Sequence, residues 1–414
     1  MSRTPLCIGV ALLALAALTV GAAAAVAPAD TGGTASAIPG ERPTNVGEIS
    51  NTTNYLFPDT GVERRSYTTA NVDVGSAVDA SATRLESQFR ARTLTERLTS
   101  QSAESGNRLA VAEAALADAQ DRMAALDARQ EALFRGYSNG SLSRDQFVRR
   151  LAAIEAHATA HGDYLDSLER DTIRYVDGTP SNFDTRLSMM RAQTVVLPDQ
   201  MTERVHDALT GTADPFVLYA EGVEDTLVLG TVDGGQFHRQ ATLRDAYRLE
   251  EENTLTIEGA LQRARELYPW VYSGGQGFRP GIDRTGPGLY RLSADHPQGS
   301  LLSYLSGSTA DVFHETQTLD PTEIPVYGTV TNGTDGLNLS VTTTTPTGPM
   351  RVELTTPGGV PVNGTVLVNG QRVAATGGDG TLWTVRPSGT FRLTAVGESG
   401  TTVSLSRVRF VRAS

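Results

Sequence analysis

At 414 residues, 39% of them hydrophobic and 20% charged, the chain has a globular composition and the length for about two to four domains. Its formal net charge of -12 excludes the basic footprint that nucleic acid or an anionic membrane surface requires. Its single cysteine, Cys7, excludes disulfides and cysteine-based metal sites from everything that follows.

Residues 1–27 have the layout of an export signal: Arg3, an apolar run from Leu6 to Val20, and Ala23-Ala24-Ala25 as a cleavage site. The alternative is an N-terminal membrane anchor over residues 6–26, and the alanine-rich half favours cleavage near Ala25. No later apolar run approaches the ~20 residues that span a bilayer. Residues 28–53, rich in Gly, Thr, Ser, Ala and Pro, read as a flexible linker.

Residues 54–178 read as a helical, coiled-coil-like bundle. A first helix from Val74 to Ser102 carries Val78, Leu85, Phe89, Leu94 and Leu98 on or near one face. A second, Asn107 to Tyr137, repeats Leu109, Leu116 and Met123 at one heptad position, with Ala112, Ala119, Leu126 and Leu133 at another. Ser143 and Gln146 then form a capping box that opens a third helix. Its seam is Phe147, Leu151, Ile154, Ala158, His161, Leu165 and Leu168. Short loops imply antiparallel neighbours, hence a helical hairpin or three-helix bundle.

Residues 179–214 read as a connector holding one helix, Met201 to Leu209, capped near Asp199. The period changes over 215–320, a small α+β unit. Strands run from Phe216 to Glu221, Thr226 to Val232 and Gln236 to Leu243, the last two joined by the hairpin turn Asp233-Gly234-Gly235. A helix from Thr256 to Tyr268 ends at Pro269, and strands follow around Gly288, Leu301 and Asp311. Residues 321–349 read as a Thr-rich linker. Residues 350–414 alternate apolar and polar between regular Gly turns, as in a small β-sandwich. The fold class is multidomain α+β.

The segment from Thr256 to Gln317 resembles the PepSY domain. The likeness rests on Tyr268-Pro269 closing a helix, the strand Tyr290-Arg291-Leu292, and the stretch Tyr304 to Val312. Ser306 and Ala310 stand where that family's hairpin carries Asp and Gly, so its role does not transfer residue by residue. Arg351 to Val411 resembles the carboxypeptidase-regulatory-like, or transthyretin-like, β-sandwich. That likeness rests on Pro357 to Val366, Thr376 to Gly380 and Pro387 to Phe391, and it implies a binding or adhesive module. All 35 Lys+Arg positions are Arg, and the whole layout resembles exported surface-type proteins of halophilic archaea.

Five Asn-x-Ser/Thr sequons, at Asn51, Asn139, Asn332, Asn338 and Asn363, are candidate glycosylation sites. His157 and His161 have the i, i+4 spacing of a metal pair, yet without a His-Glu-x-x-His pattern they read better as a polar notch in the seam. Asp335 and Asp379 lie in glycine turns that lack the spacing of a calcium loop. His206, His238, His296 and His314 are scattered. Gly274-Gly275-Gln276-Gly277 lacks the following helix of a dinucleotide site. Trp270, Tyr272 and Phe278 around it are a candidate aromatic binding patch, with packing at the edge of a core as the simpler reading.

No catalytic, cofactor-binding or metal-binding constellation emerges. The expectation is an exported, non-enzymatic envelope interaction or structural protein that meets envelope proteins or glycans. Its helical seam would associate with itself or a partner. The PepSY resemblance implies an alternative, restraint of a secreted peptidase.

Overall fold

The computed structural model describes residues 45–58, 61–100, 105–197, 199–248 and 251–408. The expected export signal, its alternative as an anchor, and residues 28–44 of the expected linker lie outside the described residues. The rest of that linker is built into the fold. Val46–Gly47 (β1) pairs with Tyr55–Leu56 (β2). The Asn45 amide donates to the Val312 carbonyl at 2.8 Å, and the Asn54 amide donates to the Leu267 carbonyl at 2.7 Å.

Arg64–Ala70 (β3) leads into three long helices: Val74–Ser100 (α1), Ser105–Ser138 (α2) and Arg144–Tyr175 (α3). Local signals explain the start of α3. The Gln146 amide donates to Ser143 Oγ at 3.2 Å, and the Ser143 amide donates back to Gln146 Oε1 at 2.9 Å, so two otherwise orphaned N–H groups are satisfied. Every residue of the α3 seam is buried, and α3 packs against α1, α2 and two further helices, Ser181–Val195 (α4) and Gln200–Thr210 (α5). The seam expected to serve association is therefore occupied within the chain. The expected connector at 179–214 is mostly helix. Asp199 caps α5, and Gly211, in the left-handed region at φ 79°, ends it.

Strands Phe216–Val223 (β4), Thr226–Asp233 (β5) and Gln236–Leu243 (β6) follow. Gly234 and Gly235, at φ 58° and 78°, supply the turn between β5 and β6. Two helices, Ile257–Leu267 (α6) and Pro269–Ser273 (α7), precede the meander Arg279–Gly286 (β7), Leu289–His296 (β8), Gly299–Ser306 (β9) and Val312–Leu319 (β10). All these strands and β3 form one antiparallel sheet in the order β3-β4-β5-β6-β10-β9-β8-β7. This corrects one expectation, since β3 belongs to the sheet rather than to a helical domain. Inside the expected 215–320 unit, β10 pairs with β9 on one side and β6 on the other.

Both faces of the sheet are covered, which its period of two makes visible. Leu218, Ala220, Leu227 and Leu229 enter the helical core with Leu133, Tyr137, Met201 and Val205. Val228 and Ala241 point the other way, to Ala260, Ala264, Tyr268 and Val271 of α6 and α7. Tyr67, Tyr219 and Phe237 meet the C-terminal sandwich on that second side.

The sandwich packs the sheet β11-β12-β13-β16 on β15-β14-β17-β18. The strands are Gly328–Gly333 (β11), Asn338–Thr343 (β12), Pro349–Thr355 (β13), Gly364–Val368 (β14), Gln371–Ala375 (β15), Thr381–Val385 (β16), Phe391–Gly397 (β17) and Thr402–Val408 (β18). The Thr-rich stretch expected as a linker thus supplies two strands. Threonine is a good strand former, and Leu339 and Val341 provide the buried face of β12 between exposed or half-buried polar positions. The architecture is multidomain α+β, and its parts pack as one unit, Thr44–Ser414.

Candidate functional site

The two surfaces of α1 are unlike. Ala80, Leu94 and Leu98 are buried, and the helix packs on α3. Three other apolar side chains point outward: Val78, Leu85 and Phe89 are 61%, 66% and 70% exposed. This overturns the expectation that these three lie on or near one face with Leu94 and Leu98. Helical geometry explains it, since Ala80, Leu94 and Leu98 lie more than a quarter turn around the helix from the other stripe. Val78, Ala82, Leu85 and Phe89 are spaced four, three and four residues apart, the alternation of a coiled-coil seam, and all four are exposed.

Of the expected aromatic patch, Trp270 and Phe278 meet edge to face with ring centroids 4.8 Å apart, and Trp270 also packs on His296 at 5.2 Å. Tyr272 sends its hydroxyl to the Gly281 carbonyl at 3.2 Å, and burial pushes that hydroxyl up to about 12. All three are half-buried, and Trp270 and Tyr272 pack on the α6–α7 core. The patch therefore joins α7 to β7 and β8.

Among the sequons, Asn51, Asn139, Asn332 and Asn338 are exposed. The Asn332 amide donates to the Ser404 carbonyl at 2.7 Å, and the half-buried Asn363 amide donates to Glu398 at 2.9 Å. Asp379 accepts from the Thr381 amide at 3.0 Å, which is turn chemistry.

The most polar part of the interior lies where sequence reasoning saw only scattered histidines. On the helix-facing side of the two central strands, His238, Gln240 and Thr242 of β6 stand opposite Thr318, Thr316 and His314 of β10. All six are buried. The N-terminus of α5 covers them. His314 Nε2 lies 2.6 Å from Asp199 Oδ2, the Thr316 hydroxyl donates to the same oxygen, and the Thr318 hydroxyl donates to Gln200 at 2.7 Å. Burial pushes the Asp199 carboxyl up, but the charge of His314 and hydrogen bonds from His314, Thr316 and the Gln200 amide outweigh it and leave the group below its usual range.

On the reverse side, Arg239 meets Glu315 at 2.9 Å with both side chains fully buried. Glu315 also accepts from Gln317 at 3.0 Å, the Leu56 amide at 3.0 Å and the Tyr268 hydroxyl at 2.7 Å. Burial raises the Glu315 carboxyl despite these partners. The Arg239 guanidinium lies over the rings of Tyr55 and Phe57, and donates to the Leu56 carbonyl at 2.6 Å and Thr347 at 3.0 Å.

Thr242, His314 and Asp199 stand in line, with Thr242 Oγ1 3.0 Å from His314 Nδ1, in the hydroxyl–imidazole–carboxylate order of a nucleophilic triad. The space beside Thr242 and His314 is about 20 Å³, room for one water molecule, while Asp199, Gln200, Thr316 and Thr318 also border a cleft of about 710 Å³. The line ties α5 to the sheet. One signal was available in the sequence: nearly unbroken polar runs inside expected strands, His238-Arg239-Gln240-Ala241-Thr242 and His314-Glu315-Thr316-Gln317-Thr318.

Comparison with known proteins divides the chain into three. Residues 218–325 match a family of unknown function (DUF7094), over the sheet and the stretch that resembles PepSY. Residues 328–404 match the archaeal fibronectin-III type-like domain, whose start falls at β11, inside the stretch expected as a linker. No curated protein and no solved structure matches the chain. Residues 1–214, more than half of the chain, match the domain of unknown function DUF7096, and the protein belongs to that family.

Proposed function

We propose that the protein is an exported, non-enzymatic envelope scaffold that associates with a second copy of itself through α1. The observation that carries this reading is the solvent-facing stripe of Val78, Ala82, Leu85 and Phe89. An antiparallel second copy sets Ala82 against the partner's Leu85 and Val78 against the partner's Phe89, small against large at each layer. A fibronectin-III-like sandwich fits a surface or interaction protein. Among the described residues no helix is long and apolar enough to cross a membrane. Export rests on the N-terminal sequence, with the exposed sequons as glycan acceptors.

Sedimentation equilibrium of the full chain tests the association. The wild type is expected to dimerise with rising concentration. Leu85→Ser with Phe89→Ser is expected to stay monomeric with an unchanged melting temperature, because neither side chain supports the core. A wild type that remains monomeric at every concentration overturns the proposal.

A further inference from the structure

A separate cleft of about 220 Å³ opens between α1, α2 and α3. Arg90, Arg122, Arg129, His157, His161 and Tyr164 line it. Arg90 pairs with Glu86 one turn away, and Arg122 grips Asp118 through Nε at 2.9 Å and Nη2 at 3.1 Å. Arg129 makes no ion pair among the described residues, so the cleft has an excess positive charge. His161 is only 7% exposed, and its Nε2 is buried without a hydrogen-bond partner among the described residues. A buried polar atom left unpaired is unfavourable unless a ligand or water completes it.

The i, i+4 histidines on α3 first suggest a metal, but among the described residues no third ligand joins them, and the Arg129 guanidinium, without a carboxylate partner, disfavours a cation. Burial foremost, then Arg122 and Arg90, push the His161 imidazole down to about 4. Burial and Arg129 likewise lower His157. At neutral pH the His161 ring is uncharged and offers one N–H donor beside the guanidinium forks.

We propose that this cleft binds a small phosphate-bearing anion, held by Arg129, Arg122 and Arg90 and by the ring of His161. Guanidinium forks match the oxygens of a phosphate two at a time, which a carboxylate or halide uses less fully. The space exceeds that of inorganic phosphate alone, so a phosphomonoester with a small organic group also fits.

Calorimetric titration of the full-length protein with inorganic phosphate, at pH 7 and constant ionic strength, tests this. Saturable one-to-one binding is expected, and a phosphomonoester such as glycerol phosphate should bind at least as tightly. Arg129→Gln should weaken binding by about tenfold or more without changing the melting temperature of the unliganded protein, since Arg129 is exposed and unpaired. His161→Gln should also weaken it, whereas Arg170→Gln, on the same helix and outside the cleft, should not. Binding that is absent, that acetate or chloride reproduces at equal strength, or that survives both Arg129→Gln and His161→Gln overturns the proposal. The self-association test is independent, because Leu85 and Phe89 do not line the cleft.

Discussion

Arg239 and Glu315 meet at 2.9 Å with no solvent contact, on the sheet face that receives the N-terminal hairpin, α7 and the sandwich. Four donors converge on the Glu315 carboxylate: Arg239, Gln317, the Leu56 amide and the Tyr268 hydroxyl. A buried pair of this kind is neutral or mildly unfavourable against an apolar replacement, but costly to break on one side. Its value lies in register, since its partners come from three parts of the chain.

Arg239→Met should therefore lower stability by about 3–5 kcal/mol, because it strands a buried carboxylate. Adding Glu315→Leu should recover part of that loss. Chemical denaturation of both variants checks the cycle, and a single variant within about 1 kcal/mol of wild type would show that the pair is not the anchor.

Glu155 gives a pH dependence of defined sign. Burial foremost pushes its carboxyl from 4.5 up to about 7, although Thr202 and Thr159 donate to it. Between these values the folded protein keeps a proton that the unfolded chain has released. Stability from this group is full below pH 4.5 and is lost as pH rises through about 7. Glu155→Gln removes the loss. The variant should match wild type near pH 4.5 and exceed it by up to about 3 kcal/mol at pH 8, in denaturation curves at the two pH values.

Three buried histidines act in the opposite sense. His161, His238 and His296 are each pushed down from 6.5 to about 4, burial being the first cause in every case. As pH falls between those values the unfolded chain takes up protons that the folded protein refuses, so stability falls with it. Neither ring nitrogen of His296 has a hydrogen-bond partner among the described residues, and the ring packs against Trp270. His296→Phe should move the acid midpoint, followed by circular dichroism, to lower pH. An unmoved midpoint counts against the assignment.

Tyr137 locks the end of α2 to the sheet. Its hydroxyl donates to the Ala220 carbonyl at 2.7 Å and lies 2.8 Å from Ser66 Oγ. Gly222 is small of necessity, since a Cβ there would stand 2.6 Å from the Tyr137 ring. Tyr137→Phe should cost about 0.5–1.5 kcal/mol by removing the hydrogen bonds to the Ala220 carbonyl and to Ser66. Gly222→Ala should cost at least about 1 kcal/mol by displacing the ring. Thermal unfolding reads both, and a Gly222→Ala protein as stable as wild type would mean that the ring moves freely.

Much of the local structure was legible in the sequence because its causes are local. Ser143 with Gln146 starts α3, Asp199 starts α5, Pro269 divides α6 from α7, and Gly234-Gly235 turns β5 into β6. Each signal acts over a few residues through a hydrogen bond or a restricted φ. The seam of α3 was legible in the same way, since its spacing is a property of one helix.

Tertiary structure alone decided what the seam meets, and it meets the chain's own helices. It also decided that Val78, Leu85 and Phe89 face solvent while Ala80, Leu94 and Leu98 face inward, that 321–349 contributes strands, and that β10 lies between β6 and β9. Strand pairing joins segments tens of residues apart, so no neighbouring residue announces the partner. The polar pairs of β6 and β10 show the same limit. Strand geometry puts His314 and Glu315 on opposite faces, but only the fold placed Asp199 before one and Arg239 before the other.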